Sequence, residues 1–367
     1  MPRILFVAAH RPDRSPSQRY RFEQFTEYWA QHGFTYEYAW LIGAEDDRIF
    51  YSPGHIAAKA AIFFKSWWRR AQQVKKAKDF DLIFIQREAF MTGSTRFERK
   101  LAQSGVPVIY DFDDAVWHMD VSDANKKLSW LKDPAKTSKI IALADLVIAG
   151  NDYLADYARR FNKRVEVIPT VIDTQVYVPG PTPVRPDGKV VIGWTGSYPS
   201  LMALRRELPL LRELYARWGD RIVFRIISDR DLDAPDLPLE HVRWNSATEA
   251  KDLEPIDIGI MLLPDDEWNR GKCGFKGLQY MGMGKAVVLG RVGVNKTIVQ
   301  EGKNGLLAGS QEEWMAALGQ LIASPDLRHR MGTEARRTVE QHYSVLAWRD
   351  RYLTIFKTLI KEHQARS

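Results

Sequence analysis

Cysteine is nearly absent. Cys273 is the only one among 367 residues, which excludes an internal disulfide framework and a multi-cysteine metal site. Long apolar runs are missing too: no window approaches the ~18 uninterrupted apolar residues of a membrane-spanning helix, so none is expected. After Met1-Pro2-Arg3, the run Ile4-Leu5-Phe6-Val7 is too short for a signal-peptide core and reads as a first buried strand. These absences lead us to expect a cytoplasmic protein. The eight histidines show no two-histidine helical spacing with a glutamate, so a zinc hydrolase finds no support. Residues 290–297 run Gly-x-x-x-x-Asn-Lys-Thr, and Asn295 stands where a phosphate-binding P-loop needs a glycine. There is no fixed-period repeat.

What is present is long and basic. Lys plus Arg number 53 against 46 Asp plus Glu, a formal charge of +7. Such an excess suits a phosphate-bearing ligand, an anionic membrane surface or nucleic acid. The positive residues are spread along the chain apart from one cluster within 55–78, so nucleic acid is not expected as a partner. With 45% hydrophobic residues the chain can build sizeable cores, and its length suits two α/β domains better than one.

Short apolar runs alternate with helical stretches from the start. Strand candidates are Ile4-Leu5-Phe6-Val7, Leu82-Ile83-Phe84-Ile85, 106–110 and Leu146-Val147-Ile148-Ala149. Residues 17–32 carry Phe22, Phe25, Tyr28 and Trp29 at helical spacing, and Asn151 is placed to cap a helix over 152–161. This rhythm indicates a parallel sheet with helical crossovers. It loosens at Val178-Pro179-Gly180-Pro181-Thr182-Pro183, the expected linker, and restarts at Val190-Val191-Ile192-Gly193-Trp194. The expected fold is α/β with two Rossmann-like domains, over 1–175 and 188–345, and a terminal helix over 346–367. That segment puts Trp348, Tyr352, Leu353, Phe356, Leu359 and Ile360 on one face, and its pattern leaves open which domain it covers.

The chemistry concentrates where a buried strand, 257–264, gives way to a polar loop and then to a helix opening near Gly274. A helix N-terminus offers free backbone N–H groups and partial positive charge, so it binds phosphate readily. Lys272 and Lys276 flank Gly274 and add full charges. Such a site suits a diphosphate leaving group, whose growing negative charge must be neutralised as its bond breaks. The competing reading is a solvated loop with two surface lysines. Earlier, Gly193-Trp194-Thr195-Gly196-Ser197 ends a strand in a glycine turn. In the first half, Tyr110-Asp111-Phe112-Asp113-Asp114 closes a strand in carboxylates, at the end where open α/β sheets bind ligands. Capping aspartates in a turn are the plainer alternative there.

The run Gly271-Lys272-Cys273-Gly274-Phe275-Lys276, with Gln279-Tyr280-Met281, Gly284-Lys285-Ala286-Val287-Val288, Gly293-Val294-Asn295 and Asn304-Gly305, resembles the donor half of family-four glycosyltransferases, which are retaining GT-B enzymes. The resemblance implies two parallel-sheet domains facing across a cleft, with a nucleotide-diphosphate sugar as donor and neither a separate cofactor nor a metal. It implies donor contacts from Thr195, Gly196, Ser197, Lys272, Gly274, Phe275, Lys276 and Gln279, with Lys276 also acting in catalysis. The family carries two glutamates separated by seven residues; Gly271 and Gln279 occupy their places here. Gln279 then takes the ribose, and a glutamate restored there is expected to be tolerated. Gly271 offers the sugar no side chain, so either Asp265, Asp266 or Glu267 becomes its substitute, with Glu267 the catalytic candidate among them, or the sugar is held differently. Asp113 falls where related enzymes turn a His-Asp pair towards the sugar and is the candidate in the first domain. The loop 10–21 lacks the family's glycines, and Arg19 is expected to reach phosphate or acceptor. Residues 168–173 follow the family pattern and read as a hinge.

Two further patterns stay open. Asp111-Phe112-Asp113 also resembles the metal-binding Asp-x-Asp of GT-A glycosyltransferases, whose carboxylates hold a divalent ion against a diphosphate. Residues 55–78 mix Phe63, Phe64, Trp67 and Trp68 with Arg69, Arg70, Lys75, Lys76 and Lys78, which suits either an interfacial membrane contact or burial of the aromatics against the sheet. The expected function is transfer of a sugar from a nucleotide-diphosphate donor to a carbohydrate or lipid-linked acceptor hydroxyl. Synthesis of surface polysaccharide, lipopolysaccharide or glycolipid, at the inner face of a membrane, is the expected setting. A donor-binding partner subunit without turnover and a GT-B-fold epimerase or hydrolase are the alternatives.

Overall fold

The computed structural model describes residues 1–118, 133–180 and 185–366, so residues 181–183 of the expected linker lie outside the described residues. The chain divides into two compact units, one of residues 1–170 with 348–367 and one of residues 171–347. Each is built on a six-stranded parallel sheet.

The first sheet comprises β1 (Arg3–Val7), β2 (Thr35–Ala39), β3 (Leu82–Gln86), β4 (Val108–Phe112), β5 (Leu146–Ala149) and β6 (Val165–Val167), in the order β2-β1-β3-β4-β5-β6. β3, β4 and β5 are buried at every position, as strands covered by helices on both faces must be. Asn151 caps the helix Asp152–Arg159 by accepting the Leu154 N–H at 2.9 Å. The core is aromatic: Phe6 stacks on Phe22 with ring centres 4.7 Å apart and on Trp29 at 5.7 Å. The terminal helix Val345–Gln364 joins this cluster, with Tyr352 4.9 Å from Phe25 and Phe356 4.9 Å from Trp29. The Tyr352 hydroxyl donates to the Arg21 carbonyl at 3.0 Å. From Trp348 onward the chain therefore returns to the first unit, which its amphipathic pattern had left open.

The second sheet comprises β7 (Val190–Thr195), β8 (Ile222–Ser228), β9 (Leu239–Arg243), β10 (Ile258–Met261), β11 (Ala286–Gly290) and β12 (Leu306–Ala308), in the order β12-β11-β10-β7-β8-β9. Its core joins Ile192, Trp194, Phe224, Ile258, Val288 and Leu318. The segment after Val171 is fastened to this unit by Arg336, whose guanidinium donates to the carbonyls of Thr174 at 2.9 Å, Gly282 at 2.6 Å and Tyr177. The units thus part ahead of the proline-rich stretch, because those carbonyls already have their partner in the second unit. Among the described residues no helix is long and apolar enough to cross a membrane.

Candidate functional site

Strand order reverses once in each sheet, between β1 and β3 and between β7 and β10. At such a point the loops leaving the two carboxyl ends diverge and leave a crevice, the usual ligand site of an open α/β sheet. Polar groups gather at the carboxyl ends of both sheets, Lys276 in the second unit and Asp113 in the first among them.

In the second unit, β7 ends at Thr195 and turns through Gly196 and Ser197 into the helix Tyr198–Arg206. β10 leads through a loop to the helix Phe275–Gly282, which opens on Gly274 with φ 68°, a left-handed conformation suited to glycine. The two are tied together, since the Tyr280 hydroxyl accepts the Thr195 N–H at 2.8 Å. Gly259 permits this, because a Cβ there would overlap the Tyr280 ring. The start of the helix is thereby held beside the β7 turn, and Lys276 Nζ comes to rest 4.7 Å from the centre of the Trp194 ring. A Cβ on Gly196 would stand 2.6 Å from that ring and 3.0 Å from Lys276 Nζ, so the turn has to be bare.

Burial, and then repulsion from Lys272, lowers the Lys276 pKa to about 7. No carboxylate among the described residues pairs with it. A half-buried ammonium over an indole face, beside the start of a helix, is arranged to receive an anion. Lys272 lies over Trp268, 4.4 Å from the ring centre, and Phe275 is half-buried. Ser197 is exposed and does not cap its helix, and Arg205 and Arg206 face solvent.

Gln279 is 1% exposed, and its amide nitrogen donates to the Tyr177 hydroxyl and to Glu249 Oε1, each at 2.9 Å. Of the carboxylates considered for the place of Gly271, Asp266 caps the helix Glu267–Arg270 through the Asn269 N–H at 2.8 Å, and Asp265 pairs with Arg270 at 2.7 Å. Glu267 is the exposed first residue of that helix.

In the first unit, the loops after β1, β3 and β4 meet. Asp113 accepts from Ser17 Oγ at 2.6 Å and from Arg87 Nε at 2.9 Å, and Gln86 donates to Ser17 Oγ at 2.6 Å. Burial works to raise the Asp113 pKa, yet Arg87 and Arg21, with the bonds from Arg87 and Ser17, hold it below the usual carboxylate range. Arg87 follows β3 with φ 61°, a conformation rare outside glycine and tolerated where the surroundings enforce it. Asp111 is committed elsewhere: Arg21 clasps it with Nη2 at 2.5 Å and Nε at 3.1 Å, both side chains being fully buried. The two carboxylates of the Asp-x-Asp pattern are thus divided between two arginines. His10 has a pKa lowered to about 4 by burial and then by Arg14, so it is neutral at neutral pH. Arg19 pairs with Asp13 at 3.0 Å.

The structure therefore gathers Thr195, Gly196, Gly274 and Lys276 in one unit and sets Asp113 among Ser17, Gln86 and Arg87 in the other. Gln86 and Arg87 were open to detection as polar residues directly after an apolar strand. Trp194 was visible only as core, and Glu249, separated from Gln279 by 30 residues, carried no sequence signal at all.

No protein-family model matches the chain, and no curated protein matches it. Solved structures do. Sucrose-phosphate synthase from Thermosynechococcus elongatus aligns with a TM-score of 0.72 at 13% identity, over 99% of this chain and 100% of its own. A glycosyltransferase from Rickettsia africae ESF-5 aligns with 0.67 at 14% identity, over 98% and 99%. Anabaena HepE, solved in complex with UDP-glucose, aligns with 0.62 at 14% identity, over 98% and 100%. At such identities the likeness establishes the fold, which is that of the GT-B glycosyltransferases.

Proposed function

We propose that the chain is a glycosyltransferase that takes a sugar from a nucleotide-diphosphate donor bound by its second unit. The observation that carries this reading is the unpaired Lys276 ammonium beside the bare turn at Gly196, at the switch point of the second sheet. A diphosphate there replaces lost hydration with one full charge and the N–H groups at the start of the Lys276 helix. As the sugar–phosphate bond breaks, the leaving group gains charge and the ammonium holds it better, which is stabilisation realised in the transition state. The ribose falls to Gln279, and Thr195, Ser197, Lys272 and Phe275 complete the donor side. Asp113 in the first unit serves the acceptor side, with Arg19 at its margin. We assign the reaction to the retaining, metal-independent type that the family resemblance implies.

The acceptor is a carbohydrate or lipid-linked hydroxyl, and we place the protein at an anionic membrane face. The helix Ile56–Lys75 has no acidic residue in 20 positions and exposes Ile56 (84%), Phe64 (68%) and Trp68 (62%). Exposed Lys75, Lys76 and Lys78 follow at its end. Apolar side chains flanked by cations complement a layer of anionic head groups.

The test is a thermal-shift screen of nucleoside diphosphates and their sugars, beginning with UDP-glucose. A ligand at ~100 times its dissociation constant adds about 2.7 kcal/mol of stability. Lys276→Ala is expected to lose most of that shift; an undiminished shift and rate would return Lys276 to the solvated loop. Binding without turnover on any acceptor would identify a partner subunit, and free sugar or epimerised donor without acceptor a hydrolase or epimerase.

A further inference from the structure

Glutamine in place of a ribose-binding carboxylate poses a chemical problem. A carboxylate presents acceptors on both oxygens, whereas an amide presents one acceptor and one double donor, and a half-turn about its last torsion exchanges them. An amide free to turn would greet a ribose hydroxyl with either face. Here it is not free. Glu249 accepts from Gln279 Nε2 at 2.9 Å, and the Tyr177 hydroxyl accepts from the same nitrogen at 2.9 Å. Glu249 and Gln279 are 5% and 1% exposed and Tyr177 is 2% exposed, so water does not compete strongly for these bonds. A carboxylate without a proton can only accept, which forces the NH2 edge towards Glu249. Both N–H groups are then used, and the amide has only its carbonyl oxygen left to offer. In this respect Gln279 acts as the acceptor a carboxylate would have been.

We infer that Glu249 is a positioning residue for the nucleotide: by fixing the Gln279 amide it makes position 279 an acceptor for ribose hydroxyls. The negative charge that Gln279 lacks stands beside it on Glu249, on the opening turn of the helix Glu249–Asp252. This inference rests on the proposed donor site.

It also revises the expected tolerance of Gln279→Glu. That change would set two carboxylates against each other at hydrogen-bond distance in a buried place, where one must take up a proton. Gln279→Glu alone should therefore bind nucleotide progressively worse as pH rises. The reciprocal variant, Glu249→Gln with Gln279→Glu, restores one carboxylate and one amide and should recover wild-type behaviour.

The experiment uses the full chain and measures dissociation constants of UDP, GDP and ADP against their 2′,3′-dideoxy analogues. The wild type should prefer the ribonucleotide. Glu249→Gln should reduce that preference by about tenfold, on the scale of one directed hydrogen bond lost where polar groups are buried. The reciprocal variant should restore it, and it also supplies the test should Glu249→Gln fold poorly. A purely structural Glu249 would change stability and leave the ribo-to-dideoxy ratio alone. An unaltered ratio in Glu249→Gln, or a reciprocal variant that folds and binds yet does not discriminate, overturns the inference while leaving the donor site standing. A wild type that binds none of the three nucleotides overturns the donor site itself.

Discussion

At the proposed donor site, Lys276 carries a stability cost. Its pKa in the fold, about 7, lies below the ordinary lysine value of 10.5. Between those values the unfolded chain binds more protons than the folded one, so stability rises with pH across that window. Lys276→Met should consequently raise Tm, and more at pH 6, where the half-buried amine is charged, than at pH 9. A variant that is no more stable at pH 6 would contradict this account. The same shift predicts proton uptake when a diphosphate arrives, because the anion restores the lysine's affinity for its proton. Calorimetry at pH 8 in buffers of different ionisation enthalpy should detect uptake with UDP-glucose, whose diphosphate does not titrate there, and none with Lys276→Met. Gly196→Ala tests the bare turn: its Cβ would press on Trp194 and Lys276, an overpacking that costs about 1–3 kcal/mol.

Among the elements, the terminal helix and the basic helix have opposite faces to explain. The terminal helix spends its aromatic face on the first unit, where Phe356 is fully buried against Trp29. Phe356→Ala should destabilise that unit by about 3–5 kcal/mol, measured by urea unfolding, since the cavity is lined by rigid rings. The helix Ile56–Lys75 buries only Ile62, Ser66 and Arg70 and leaves Phe64 and Trp68 in water. Arg70 pins it, donating to the carbonyls of Ala8, Ala39 and Ala89 at 2.8, 2.7 and 2.6 Å. In flotation assays the protein should follow vesicles rich in phosphatidylglycerol and not those of phosphatidylcholine. Phe64→Ser with Trp68→Ser should abolish this at unchanged Tm. Equal recovery of that double variant with the vesicles would leave the exposed aromatics without this role.

At the scale of the molecule, each unit brings a different chemistry to its switch point. The second offers cationic and backbone donors, and the first offers a carboxylate held ionised by arginine. On the proposed donor site, where Lys276 and backbone N–H groups would meet the diphosphate, donor turnover should survive EDTA. Loss of activity in chelator with rescue by Mn²⁺ would instead draw Asp111 and Asp113 into a metal site, against their present pairing with Arg21 and Arg87.

The alternation of apolar runs and helical stretches was sufficient by itself to determine two parallel α/β units, since strands buried on both faces read as near-continuous apolar runs. The glycines and lysines at 193–197 and 271–276 were legible because helix starts and bare turns impose local residue types. Three matters awaited the tertiary structure. Which unit takes the terminal helix depended on where Phe25 and Trp29 lay, the boundary at 170 depended on Arg336, and the state of Gln279 depended on Glu249. Each rests on a contact between residues distant in sequence, and a chain read in order carries no mark of the partner that folding will bring.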